Sequence, residues 1–258
     1  MDADDVGAAR VRGAIVTGGS RGIGLAVVRR LVDDGWAVTI TGRDAAGLDA
    51  AVDSIGAGTG AGAAARHPVL PVVADMADDD APERILAAHA DAGRTLDALV
   101  LNAGMGHGSR IVDTPLRRLD RHYAVNLRAA FALVSQAIPA LREAASGASA
   151  ARVIAMSSMT AVMPEPGLAA YGATKAALVS LCETLNAEES AAGVIATAIC
   201  PGYVDTDMSA WKHGDLAAGE MIRPDDIAEL VGALVRMSRY AVMPKIVVSR
   251  PGEGLFTA

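Results

Sequence analysis

Cysteine is nearly absent from this chain: there are two in 258 residues, Cys182 and Cys200. Neither stands in a CxxC pair or near a histidine at ligand spacing. That argues against a disulfide scaffold or a zinc site and leaves two buried free thiols as the expectation, with no metal at the site. Aromatic residues are as scarce, at 3%, so the core has to be built from Ala, Val, Leu and Ile. Positive charge is in deficit, with 23 Lys and Arg against 30 Asp and Glu and a net charge of −7. Such a chain offers no general nucleic-acid surface. No apolar run approaches membrane-spanning length. The opening "MDADDVGAARVRG" lacks the apolar core of a secretory leader. The expectation is a soluble cytoplasmic protein with no nucleic-acid or membrane partner, a flexible tail over residues 1–12, and one domain over 13–258.

Apolar residues make up 52% of the chain, enough for a large core, and they fall in an alternating pattern. Short runs at 14–18, 37–41, 69–74, 97–102, 152–157, 194–200 and 245–249 read as strands. Longer amphipathic stretches at 22–34, 44–54, 79–92, 115–144, 169–192 and 224–238 read as helices. Alternation of this kind implies α/β architecture: a doubly wound parallel sheet of about seven strands with helices on both faces. Ligands of such sheets bind beyond the carboxyl ends of the strands. Two Gly/Ala/Ser-rich stretches, 56–65 and 146–151, each lie between a helix and a strand and read as surface loops. No repeat and no second core is present.

Between the first strand and the first helix lies "TGGSRGIG", Thr17 to Gly24, with four glycines in eight residues. Glycine belongs where φ must be positive or a side chain would obstruct. A turn of this composition opening a helix leaves backbone N–H groups free at the positive end of the helix dipole, which suits a phosphate. Further on come "NAG" at Asn102, Ala103 and Gly104, "YxxxK" at Tyr171 and Lys175, and "PG" at Pro201 and Gly202.

These four motifs, in this order, resemble the classical short-chain dehydrogenase/reductase family over roughly residues 12 to 238. The resemblance implies a single-domain Rossmann fold and a nicotinamide cofactor. Gly18, Ser20, Arg21, Gly22, Ile23 and Gly24 would approach its pyrophosphate. Asn102, Ala103, Gly104, Pro201 and Gly202 would contribute further contacts. Lys175 would also hold the nicotinamide ribose, Thr206 would bond the carboxamide, and Asp75 with Met76 would meet the adenine edge. Asp75 serves equally well as a helix cap.

Tyr171 and Lys175 are four apart, on one face of a helix. A free tyrosine has a pKa of about 10. A nearby ammonium favours the phenolate, so a tyrosine so placed can exchange a proton with a carbonyl or alcohol oxygen. Ser158 follows a strand and lies thirteen residues before Tyr171, the usual family separation, where its hydroxyl can bond the substrate oxygen. Ser157 is the neighbouring candidate. By resemblance, Asn126 is the fourth catalytic residue, its backbone holding a water that links Lys175 to solvent.

An NAD enzyme usually carries an acid at the end of the second strand. By alignment with the family that position is Gly42, followed by Arg43, with Arg21 inside the Gly-rich turn; both could face the adenosine ribose, and a guanidinium suits a 2′-phosphate. Asp44 is the competing acid, or else a helix cap. The expectation is NADP(H) in preference to NAD(H). The activity expected is hydride transfer between nicotinamide and a small-molecule carbonyl or secondary alcohol. The alternatives are an NAD-dependent alcohol dehydrogenase of the same family and a non-catalytic NADP-binding sensor or scaffold. The resemblance also implies a homodimer or homotetramer built on the long helices 115–144 and 169–192. The chain departs from the family pattern at Leu101, where NNAG is common, and at its end, "KIVVSRPGEGLFTA".

Overall fold

Each of the seven apolar runs forms a strand. In the computed structural model, which describes residues 10–58, 68–145, 149–214 and 216–251, they are β1 (Gly13–Val16), β2 (Ala37–Gly42), β3 (Leu70–Val73), β4 (Ala98–Leu101), β5 (Ala151–Met156), β6 (Val194–Pro201) and β7 (Lys245–Val248). They pair in parallel, in the order β3-β2-β1-β4-β5-β6-β7. The central strands β1, β4, β5 and β6 are buried along their whole length, which is why they read as continuous apolar runs. The edge strands β3 and β7 alternate between half-buried and exposed positions.

Between the strands run α1 (Gly22–Asp33), α2 (Ala45–Gly58), α3 (Ala81–Asp91), α4 (Leu116–Tyr123), α5 (Ala129–Ala144), α6 (Ala169–Glu189) and α7 (Pro224–Leu234). Successive residues of a strand point to opposite faces, and the core divides accordingly. Val16, Val38 and Ile40 pack with Leu31 of α1 and Val231 of α7. Ile15, Leu99 and Val153 pack with Ile85 of α3, Leu133 of α5 and Leu185 of α6. The order reverses between β1 and β4, so the crevice at their carboxyl ends is the expected binding site.

The structure corrects the sequence reading in three places. Packing begins before residue 13: Arg10 pairs with Asp97 at 2.6 Å, and the Arg12 guanidinium lies 4.1 Å from the Trp36 ring centroid. Residues 1–9 lie outside the described residues, as do most of the two Gly/Ala/Ser-rich stretches. The helix expected over 115–144 is broken into α4 and α5 by a π-helical turn, Ala124–Arg128. Taken whole, Leu116–Ala144 is also long and apolar enough, by length and composition, to cross a membrane. Here it lays Leu133, Ala137 and Leu141 into the core.

Asp97, just before β4, ties the start of the sheet together. It is 5% exposed. Its carboxylate accepts from the Gly13 N–H at 2.9 Å, from the Thr95 hydroxyl at 2.7 Å and from Arg10 at 2.6 Å. Asp97→Ala leaves the Gly13 donor buried and unpaired and should lower the unfolding free energy by about 3 kcal/mol. Urea denaturation checks this; a loss below about 1 kcal/mol contradicts the role.

Candidate active site

The crevice is framed by a hydrogen-bonded junction between the ends of β1 and β4. The Thr17 hydroxyl oxygen accepts from the backbone N–H groups of Asn102 and Ala103, both at 3.0 Å. In return the Asn102 amide donates to the carbonyls of Thr17 and Gly18, both at 3.0 Å. Asn102 therefore builds the cradle with its side chain. Gly18 sits at φ +65°, and a Cβ on Gly24 would stand 2.2 Å from the Gly18 carbonyl oxygen. Any side chain at Gly24 pushes this turn apart. Arg21 occupies the N-cap of α1 in extended conformation and provides no side-chain cap. The first N–H groups of α1 are thereby left for an anion.

Around this cradle the remaining cofactor candidates fall as follows. Arg43 is exposed at the end of β2 and makes no hydrogen bond or ion pair among the described residues. Asp44 accepts from the Gly47 N–H at 2.9 Å and caps α2. Arg21 is turned toward Asp207, at 2.9 Å across the groove, with both side chains exposed. Asp75 accepts from the Ala77 N–H at 2.9 Å, a turn-capping bond. Met76 is 6% exposed and packs in the core. A Cβ on Gly22 would meet the Thr206 methyl at 3.1 Å, which places Thr206 against the Gly-rich turn. Pro201 ends β6, and the Gly202 N–H donates to Val248 of β7 at 2.9 Å.

Ser158, Tyr171 and Lys175 line one pocket with Ile23, Gly104 and Thr206. The Ser158 hydroxyl oxygen accepts from the backbone N–H and the hydroxyl of Thr160, at 3.2 and 3.0 Å. With both lone pairs engaged, its own proton is free to donate, and the bond it makes to Tyr171 favours the phenolate. Ser157 is 4% exposed, and its hydroxyl donates to the Lys175 carbonyl at 2.7 Å. That bond ties β5 to α6 and leaves Ser158 as the serine facing the pocket's chemistry.

Lys175 is 4% exposed. Its ammonium donates to the Met156 carbonyl at 2.6 Å and lies 5.7 Å from the Tyr171 ring centroid. Burial pushes Lys175 down to about 8. Burial also pushes Tyr171 up to about 12, with the Ser158 bond pulling the other way. The expectation from the sequence is that the ammonium lowers the tyrosine; in the bare pocket desolvation is the larger effect. Asn126 sits in the π turn, 1% exposed. Its side chain clamps Met105, accepting from the N–H at 2.8 Å and donating to the carbonyl at 3.0 Å, and it donates to the Thr174 hydroxyl at 3.0 Å.

Three pocket-side residues escaped the sequence reading. His122 is fully buried with neither ring nitrogen bonded among the described residues, edge-on to Tyr171 with centroids 6.5 Å apart. Burial, and the nearby His107 and Arg118, hold it toward the neutral form. Glu165 and Tyr203, from two different loops, hydrogen-bond to each other in the pocket wall. None belongs to a motif, and no periodicity in the sequence marks them. Trp211 is pocket wall, edge-on to Tyr203 at 6.0 Å.

A crevice of this shape, with a glycine cradle on one side and Ser, Tyr and Lys on the other, defines a dinucleotide-dependent oxidoreductase class. The short chain dehydrogenase family model matches residues 12–216, and the chain belongs to that family. It is 33% identical over 214 residues to a D-beta-hydroxybutyrate dehydrogenase of Rhizobium meliloti, covering 83% of this chain and 80% of the relative. Among solved structures it is similar to the RhlG/NADP active-site complex of Pseudomonas aeruginosa, with TM-score 0.81, 28% identity, and 92% and 94% of the two chains covered. It is also similar to a 3-ketoacyl-(acyl-carrier-protein) reductase from Brucella melitensis complexed with NADH, with TM-score 0.80, 26% identity, and 92% and 96% covered.

The depressed Lys175 has a measurable consequence. An unfolded lysine keeps its proton up to 10.5, whereas this one keeps it only to about 8. Between those values the unfolded state binds more protons, so stability rises with pH. Without cofactor, the unfolding free energy should increase from pH about 8 to 10.5 relative to Lys175→Met. Parallel pH profiles for the two proteins contradict the depressed value.

Proposed function

We propose that this enzyme is an NADP(H)-dependent oxidoreductase that interconverts small-molecule carbonyls and secondary alcohols. The observation that carries the reading is the meeting of Ser158, Tyr171 and Lys175 in one pocket beside the glycine cradle. The chemistry that a nicotinamide supplies when bound is hydride transfer to or from the substrate carbon. The uncapped N–H groups of α1 would hold its pyrophosphate, Thr206 its carboxamide end and Lys175 its ribose.

The chain's own residues handle the substrate oxygen and its proton. Ser158 donates a hydrogen bond and steadies the charge that develops there. In reduction Tyr171 gives its proton to the oxygen; in oxidation its phenolate takes one. Lys175, with a pKa of about 8, exchanges protons near neutrality and stabilises the phenolate when charged. Asn126 holds the Met105 segment, and the π turn that carries it is the place where its backbone joins the relay.

Preference for NADP(H) rests on Gly42, which offers no acid, on Arg43, which is unengaged, and on Asp44, whose carboxylate caps α2. Relatives bound to NADP and to NADH both exist, so the preference is read from these residues and not from kinship. Assembly into at least a dimer agrees with the exposed apolar side chains Phe131 and Leu116 along α4 and α5. A cytoplasmic setting agrees with the two free buried thiols.

Tyr171→Phe removes the proton donor and keeps the ring. It should lower kcat at least about 10²-fold with NADPH affinity nearly unchanged, as read by stopped-flow absorbance and fluorescence titration. Near-wild-type turnover would refute the assignment. Arg43→Ala should weaken NADPH binding about tenfold or more while NADH binding stays within about twofold. Equal losses for both cofactors mean that Arg43 does not read the 2′-phosphate.

A further inference from the structure

Away from the reacting groups the pocket wall is mostly apolar, formed by Met159, Leu168, Val204, Met208 and Trp211. One carboxylate interrupts it. Glu165, on the loop between β5 and α6, accepts through Oε1 from the Tyr203 hydroxyl on the loop after β6. Its second oxygen, Oε2, is enclosed and has no hydrogen-bond partner among the described residues. A carboxylate has about four acceptor positions, and the structure supplies one donor. Leaving an acceptor enclosed and under-bonded is costly, so a turn of the side chain that offers this oxygen to a donor on a molecule in the pocket is favoured. Turning the carboxylate about its last torsion meets only a broad, shallow barrier.

The rest of the lining sharpens the point. Among the described residues its sole lysine or arginine is Lys175, which is engaged with Met156 and the reacting end. His107 is the other basic side chain in the lining. Lys212 stands over the rings of Tyr203 and Trp211, at 5.5 and 5.3 Å, and is not part of the lining. A substrate bearing its own carboxylate or phosphate at the Glu165 end would meet negative charge there, with Lys175 engaged at the reacting end and no lysine or arginine of the lining beside Glu165.

We propose that Glu165, held by Tyr203, is a specificity-determining residue that selects carbonyl and alcohol substrates carrying a hydroxyl or other hydrogen-bond donor away from the reacting carbon, and rejects those carrying an anionic group there. This rests on the oxidoreductase reading above and deepens it. It sets the chain apart from a relative named for hydroxybutyrate, an anionic substrate. A carboxylate that only orients Tyr203 would affect all substrates alike, whereas one that meets the substrate discriminates by charge.

Three ketones of matched length separate these roles: 5-hydroxy-2-pentanone, 2-hexanone and 4-oxopentanoate. For the wild type, kcat/KM should fall in that order, with at least about tenfold between the hydroxyketone and the ketoacid. Glu165→Gln keeps an acceptor for Tyr203 and removes the charge; it should bring the ketoacid within about threefold of the hydroxyketone. A wild type that handles the ketoacid as well as the hydroxyketone overturns the proposal, as does a Glu165→Gln ratio equal to that of the wild type. Saturation-transfer NMR on Tyr171→Phe reads the same binding order without turnover. If no ketone is reduced but the hydroxyketone binds best, the hydride-transfer reading fails and the Glu165 subsite stands. If the ketoacid binds as well, the subsite fails.

Discussion

The geometry of the whole site depends on one junction, the exchange of hydrogen bonds between Thr17 and Asn102. A parallel sheet has no hairpin to lock the end of one strand against the next. At the switch point β1 and β4 part, and the crevice opens between their exits. The Thr17 hydroxyl takes two backbone N–H groups from the β4 exit, and the Asn102 amide returns two bonds to the β1 exit. With the Thr17 N–H bond to the Val100 carbonyl and the Gly19 N–H bond to the Thr41 carbonyl, that exchange fixes the glycine turn relative to Gly104. Gly104 in turn is small because a Cβ there would stand 3.3 Å from the Lys175 ammonium and 3.4 Å from the Asn126 side chain. Cradle, lysine and asparagine are thus positioned against one another by a few short bonds and two absent side chains.

The reacting groups occupy an environment that opposes their charged forms. Lys175 is pushed down and Tyr171 up by the same loss of water. A tyrosine so held is favoured in its protonated form. The Ser158 hydroxyl, its oxygen engaged by Thr160, has one proton to give, to the phenolic or to the substrate oxygen. His122, buried beside Tyr171, has no hydrogen-bond partner for either ring nitrogen among the described residues.

What the site accepts is decided by loops that the motifs do not include. The segments from Ser158 to Leu168 and from Tyr203 to Trp211 meet in the Glu165–Tyr203 bond, and the Tyr203–Trp211 ring pair braces the second segment from within. The family's motifs build the cradle and the proton-transfer groups; these two loops supply the wall a substrate meets.

By itself, the sequence determined the seven strands and the glycine turn, because strand periodicity, buried apolar runs and positive-φ glycines are local properties written in consecutive residues. It also determined the Ser158–Tyr171–Lys175 grouping, through a spacing shared with a family, and it placed Asp44 as a helix cap among its alternatives. Only the tertiary structure decided the rest. Ser157 and Ser158 look alike in sequence, and they part only because one hydroxyl reaches the Lys175 carbonyl and the other reaches Thr160. Arg10 and Arg12 read as tail until Asp97 and Trp36, far along the chain, give them partners. The π turn at Asn126 was illegible because its composition continues the helical pattern on both sides. The direction of the Tyr171 shift was missed for the same kind of reason: desolvation depends on everything that surrounds the ring, and no spacing between two residues records it.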